Sequence, residues 1–170
     1  MTSHLMKLFT MLFILAGTIT QSCGIYSFTG ASIEQGTKTV NIQYFPNNAQ
    51  IVAPILSQVF TEKLQDKFVN ETGLELQTDE ADLNFSGSIT TYNISPVASG
   101  GDDLAYGNRL TIGVRVNYKN TLKEEEWSQS FSRFQDFDRS TNLKDIEDEL
   151  IDDIAQQLVD DIFNKALVNW

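Results

Sequence analysis

The segment Arg109–Asn120 alternates without a break for 12 residues. Leu110, Ile112, Val114, Val116 and Tyr118 fall on one side, with Arg109, Thr111, Gly113, Arg115, Asn117 and Lys119 on the other. A period of two sorts side chains this way only in an extended strand. A sheet with one apolar face must bury that face against a second layer, and two segments have the period for it. Between Ile51 and Glu71, residues Val52, Ile55, Leu56, Val59, Phe60, Leu64 and Phe68 form one helical stripe. Pro54 suits only the first turn of that helix. Thr72-Gly73 ends it, the glycine supplying a left-handed cap. After Asn142 a second helix runs almost to Trp170. Its stripe is Leu143, Ile146, Leu150, Ile154, Leu158 and Ile162, widened by Ile151, Val159 and Phe163.

Three more stretches read as strands. Lys38–Phe45 alternates through Val40, Ile42 and Tyr44; a second strand from Leu83 to about Ser95 carries Phe85, Gly87 and Ile89; Glu124–Phe134 sets Trp127 and Phe131 on one face. The order β-α-β-β-β-α predicts an α+β two-layer sandwich, a small mixed or mostly antiparallel four-stranded sheet with two helices on one face. Between the second and third strands, Pro96–Asn108 (PVASGGDDLAYGN) reads as a 13-residue loop, a length usually kept for function. Leu104 and Tyr106 are its apolar tip residues and its candidate contacts with a partner.

The 12 Lys+Arg against 23 Asp+Glu give a net charge of −11. So acidic a chain argues against nucleic acid as a partner, which needs a basic face to neutralise phosphates. The bases that stand out are Arg109, Arg115 and Lys119 on the far face of the sheet, with Arg133 as a further candidate. Arg fits phosphate as a fork, so Arg109 and Arg115 are candidate contacts for a phosphorylated lipid. The plainer reading is a solvated face. The final helix gathers Asp145, Glu147, Asp148, Glu149, Asp152, Asp153, Asp160 and Asp161, read as its water-facing side.

His4 and Cys23 are the only residues of their kinds. Lys7 followed by the apolar run Leu8–Ile19 has the length of a signal-peptide core and is too short for the roughly 20 residues that span a bilayer. Thr20-Gln21-Ser22-Cys23 then resembles the lipobox of bacterial lipoproteins, with Thr20 and Gln21 looser than usual. The expectation is a signal peptide over 1–22, a lipidated tether over 23–37 and one domain over 38–170. Cys23 would carry a thioether-linked diacylglycerol and an acyl group such as palmitate. A lone thiol in an oxidising compartment has no disulfide partner, and each buried CH₂ of an acyl chain adds about 0.8 kcal/mol of membrane affinity. Gly24 is not the Asp associated with inner-membrane retention, so the expected place is the outer membrane, facing the periplasm.

Removing residues 1–22 leaves 148 residues without His. That excludes a Ser-His-Asp triad, a Cys-His pair and His- or Cys-based metal sites. A glycosidase-like carboxylate pair remains formally open at Asp102-Asp103, which read more simply as a solvated loop. Asp136, Asp138, Ser140, Asn142 and Glu147 have the spacing of a calcium loop, but Thr141 stands where the sharp turn wants Gly. Those residues read as a strand end and a capped helix start, Ser140, Thr141 or Asn142 being the cap. The sequons at Asn70, Asn84 and Asn93 read as chance behind a bacterial lipobox. No cofactor is expected beyond the covalent lipid, and no enzyme.

Several strings carry a resemblance over essentially the whole chain after residue 22. They are Cys23-Gly24 with YSFTGASI (Tyr26–Ile33), IQYFPNNA (Ile42–Ala49), LSQVFTEKLQDKF (Leu56–Phe68), NRLTIGVRV (Asn108–Val116), QSFSRFQDF (Gln129–Phe137) and DIFNKALVNW (Asp161–Trp170). In this order they resemble the LptE-type lipopolysaccharide-assembly lipoproteins, in their Bacteroidota form. The resemblance implies a non-enzymatic plug in the lumen of the β-barrel LptD, helping that barrel assemble and place lipopolysaccharide in the outer leaflet. It carries over no catalytic residue. The alternative is a free periplasm-facing lipoprotein that binds a lipid or glycan alone; a carboxylate hydrolase, with two acids roughly 5–9 Å apart, is a third.

Overall fold

The computed structural model describes residues 33–98 and 105–167. Strand β1 (Thr39–Ile42) leads to helix α1 (Leu56–Thr72), then β2 (Glu75–Leu76), β3 (Leu83–Ala98), β4 (Ala105–Asn120), β5 (Glu125–Asp138) and helix α2 (Leu143–Leu167). The sheet has five strands in the order β2-β1-β3-β4-β5. β1 is parallel to both β2 and β3, while β3, β4 and β5 form an antiparallel meander. The α+β sandwich is as expected, but four strands become five. The extra one is Glu75–Leu76, two exposed residues without alternation that pair only because the chain leaves α1 beside β1.

Both helices cover one face. Val40, Ile42, Leu83, Phe85, Ile89, Leu110, Ile112, Val114 and Val116 meet Leu56, Phe60, Leu64 and Phe68 of α1 and Ile151, Ile154, Leu158 and Ile162 of α2 in a single core. Aromatic contacts tie the layers: Phe68 lies 4.6 Å from Phe85 and 5.1 Å from Phe163, ring centre to ring centre. Gly73 ends α1 at φ 69°, its N–H donating to the Val69 carbonyl, as the sequence suggested. Asn142 caps α2, its Oδ1 accepting from the Lys144 N–H.

Several boundaries differ from the sequence reading. The first strand stops at Ile42 rather than Phe45 and leaves Tyr44 exposed instead of on its apolar face, and β5 runs on to Asp138 rather than ending at Phe134. Helix α1 begins at Leu56 rather than near Ile51, so Pro54 precedes it, and Val52 and Ile55 are exposed rather than part of a buried stripe. β3 continues through Pro96 to Ala98, and β4 starts at Ala105, so both ends of the supposed loop are paired strand. Pro96 is tolerated because β1 pairs with β3 only at Leu83–Phe85 and the chain after it bridges to β3 at Ile89; beyond Ile89, β3 has no such neighbour among the described residues and needs no N–H on that side. The residues before β1 also join the fold: Ile33 packs on the core and Glu34 meets Lys123 at 3.3 Å. The Asp82 carboxylate accepts the N–H groups of Lys38 and Thr39 and the Thr39 hydroxyl, at 2.8, 3.0 and 3.0 Å. The Lys38 N–H first of all holds its pKa below the usual carboxylate range.

Candidate functional site

The helices leave the other face of the sheet bare. Register places Asn84, Ser86, Ser88, Thr91, Asn93 and Ser95 of β3 beside Lys119, Asn117, Arg115, Gly113, Thr111 and Arg109 of β4. β5 adds Glu126, Ser128, Ser130, Ser132, Phe134 and Asp136 in matching rows. The result is a surface of hydroxyls, amides and a few charges. Ser128 donates to Asn117 Oδ1 at 2.7 Å, one of the cross-strand bonds that hold such a face in place.

The basic residues have separate fates. Arg109 faces Asp136 directly and grips it with two bonds of 2.6 and 2.8 Å, while its guanidinium lies 3.7 Å from the centre of the Phe134 ring. The Arg109 bond holds the Asp136 carboxyl below its ordinary range and raises the guanidinium in turn. Lys119 reaches Glu80 at 3.3 Å. Arg133 is not on this face at all: it pairs across from Ile112, on the helix side, and forks onto Asp161 of α2. Arg115, exposed between Ser88 and Ser130, makes no ion pair with any described residue. The expected strip is thus one free guanidinium, with Arg109 already neutralised and six residues, roughly 20 Å, away along β4.

At the Lys119 end of this face is an open depression of about 520 Å³, lined by Gln43, Asn84, Ser86, Asn117, Lys119, Glu126 and Ser128 among others. Among its described lining residues Glu126 is the one carboxylate, so these residues bring together no acid pair of the hydrolase kind. Phe85, Tyr118 and Trp127 complete the lining, which can thus exchange hydrogen bonds with hydroxyl or phosphate groups and also offers aromatic surface.

The calcium-like string is dismantled by its own bonds. Asp136 belongs to Arg109, Asp138 accepts from the N–H and hydroxyl of Ser140, and Glu147 accepts the Tyr92 hydroxyl at 2.5 Å. Burial, then that Glu147 contact, pushes the Tyr92 phenol well above its usual range. Among the described residues no group of three His, Cys, Asp or Glu could hold a metal ion. Tyr106 is the second residue of β4; its side chain, Leu104, Asp102, Asp103 and the Cys23 lipobox all lie outside what the structure describes. Among the described residues no helix is long and apolar enough to cross a membrane.

What sequence reasoning missed on this face is β3's share. The alternation of Asn84, Ser86 and Ser88 was visible, but a small polar residue announces an outward face only once its apolar neighbours are known to point in.

Comparison with known proteins gives three findings. Residues 37–166 match the model of the LptE family, described as lipopolysaccharide assembly. Among curated proteins, none matches. Of solved structures, a hypothetical protein from Chlamydia trachomatis is similar in fold, with a TM-score of 0.57 at 12% identity over 76% of this chain and 95% of that one. A protein from Xanthomonas campestris reaches 0.50 at 9% identity over 81% of this chain and 90% of its own.

Proposed function

The chain belongs to the LptE lipopolysaccharide-assembly family, and from that premise we propose that it is a non-enzymatic lipoprotein subunit of an outer-membrane lipopolysaccharide translocon. In this reading Cys23 carries the lipid, and the domain sits in the lumen of an LptD-like β-barrel. There it helps the barrel assemble and assists lipopolysaccharide into the outer leaflet.

The family match over 37–166 is the observation that carries the proposal. The geometry supports it. A body seated in a wet lumen needs a polar exterior and a rigid core, and the bare face of β3–β5 supplies the first while the two helices fill the second. On this face, Arg115 is the basic residue without an ion pair among the described residues and so the candidate to meet a phosphate of the lipid; Arg109 is the weaker candidate because Asp136 occupies its fork. Leu104 and Tyr106 remain the proposed contacts with the barrel.

The test is recovery of the C-terminally tagged full chain from detergent-solubilised outer membranes, with mass spectrometry of the co-purifying protein and of Cys23. A one-to-one complex with an LptD-like barrel and a diacylated Cys23 is expected. A lipidated chain that comes out alone would transfer the function to an independent lipid- or glycan-binding lipoprotein.

A further inference from the structure

Strand β5 is 14 residues long and ends the sheet, with β4 as its neighbour. It matches β4 row for row from Glu125 to Asp138, without a register shift and without a proline. In an antiparallel strand alternate residues turn N–H and C=O toward the neighbour and the others turn both away. About half of the backbone groups of β5 therefore point out of the sheet. Between Glu125 and Phe137 no described residue bonds to them.

Open edges invite further strands, and folded proteins blunt them with short strands, bulges, prolines or charges. Elsewhere this sheet does so. β2 has two residues, and past Ile89 the free side of β3 carries a register shift and then Pro96. On β5 even the charges are drawn off the middle of the strand. Arg133 forks onto Asp161 of α2, and Asp136 is gripped by Arg109 of β4. Trp127–Gln135 (WSQSFSRFQ) holds Arg133 as its single charged residue and spans about 30 Å. On the bare face Ser128, Ser130 and Ser132 are too small to screen the backbone behind them.

We infer that β5 takes up an extended segment of a partner protein along Trp127–Gln135, as a sixth strand of the sheet. A row of unpaired N–H and C=O groups at strand spacing is satisfied by another extended backbone. The charges set the chemistry of that segment. Glu125 and Glu126 at one end and Asp138 at the other call for Lys or Arg at both its ends, around an uncharged middle. They also disfavour a second copy of this chain. Two β5 strands paired antiparallel at full overlap would set Glu126 against Asp136 or Glu125 against Asp138, and like charges directly opposite destabilise a ladder. Nothing in this pairing depends on the translocon reading proposed above.

The test places a photo-crosslinking amino acid at Ser128, Ser130 or Ser132, one at a time, in the full chain in its own cells, and maps each crosslink by mass spectrometry. The three crosslinks are expected on one segment of one other protein, stepping about two residues at a time, with Lys or Arg at the ends of that segment. Neighbouring residues of β5 send their N–H groups to opposite sides, so one of Gln129→Pro and Ser130→Pro removes an outward donor and keeps the ladder to β4. The variant of the two that melts like wild type is expected to lose the Ser132 crosslink at least about tenfold; an undiminished crosslink in it would overturn the pairing. Crosslinks that are absent or scattered over several surfaces would overturn it too. A ladder on β5 of a second copy, or on residues 23–32 of the same chain, would give the edge to an oligomer or to the chain itself and overturn the partner.

Discussion

Strand β4 turns Ile112, Val114 and Val116, each fully buried, toward the helices, and Thr111, Arg115 and Asn117 toward the opposite side. One backbone therefore serves two surfaces with different physics. On the helix side every position is fixed by dense packing, where removing atoms costs transfer energy and leaves a cavity. On the bare side the rows of Ser, Thr and Asn touch water and each other, as in the Ser128–Asn117 bond. The first surface holds the fold, the second meets a ligand only under the reading proposed above, and substitutions should separate the two.

The largest effect is expected at Phe68. Its ring touches those of Phe85 and Phe163, joining the sheet to both helices at one point. Phe68→Ala should lower unfolding free energy by about 3–5 kcal/mol, measured by urea titration. A loss under about 1 kcal/mol would mean that the layers are not held together there, and the contrast between the two faces would collapse.

Gly87 gives the next effect, and it sharpens the contrast by adding one atom rather than removing many. It sits in β3 opposite Val116, on the packed side, at φ 158°. A Cβ there would lie 2.0 Å from the Arg115 backbone oxygen and 2.7 Å from the Phe45 ring. Strands β3 and β4 would have to separate, so Gly87→Ala should cost roughly 1–3 kcal/mol by the same titration. Stability equal to wild type would show that the packed face yields as easily as the bare one.

Much of this was legible from periodicity. The two-residue period of Arg109–Asn120 and the helical stripe Leu150–Phe163 fix which side chains are inside, and the structure places them there. Periodicity reports hydrophobicity, not partners, and that is where it misleads. Val52 and Ile55 fit the stripe of α1, yet the helix starts only at Leu56, and they project from the connector instead. β2 could not be seen at all, because two exposed residues carry no pattern. The hairpin through Pro96 and Gly107 reads as loop by composition, since pairing with a facing strand is a tertiary fact. Charge pairing was equally hidden. Only register reveals that Asp136 stands opposite Arg109 and that Arg133 points to the helices.

The smallest effect on stability belongs to Arg115, and it is the position where the two faces should diverge most. The side chain is exposed, between Ser88 and Ser130, without an ion pair to any described residue. Arg115→Glu should therefore leave unfolding free energy within about 0.5 kcal/mol of wild type. Under the translocon reading the same change should weaken lipopolysaccharide capture by the purified complex, because a carboxylate would meet phosphate where a guanidinium did. Arg109→Glu should weaken capture less, since Asp136 already takes up that fork. Unchanged capture in both variants would remove the phosphate role from the bare face and leave it as a hydrated wall. Lost stability in Arg115→Glu would show instead that the outer face takes part in folding, against the division drawn from β4.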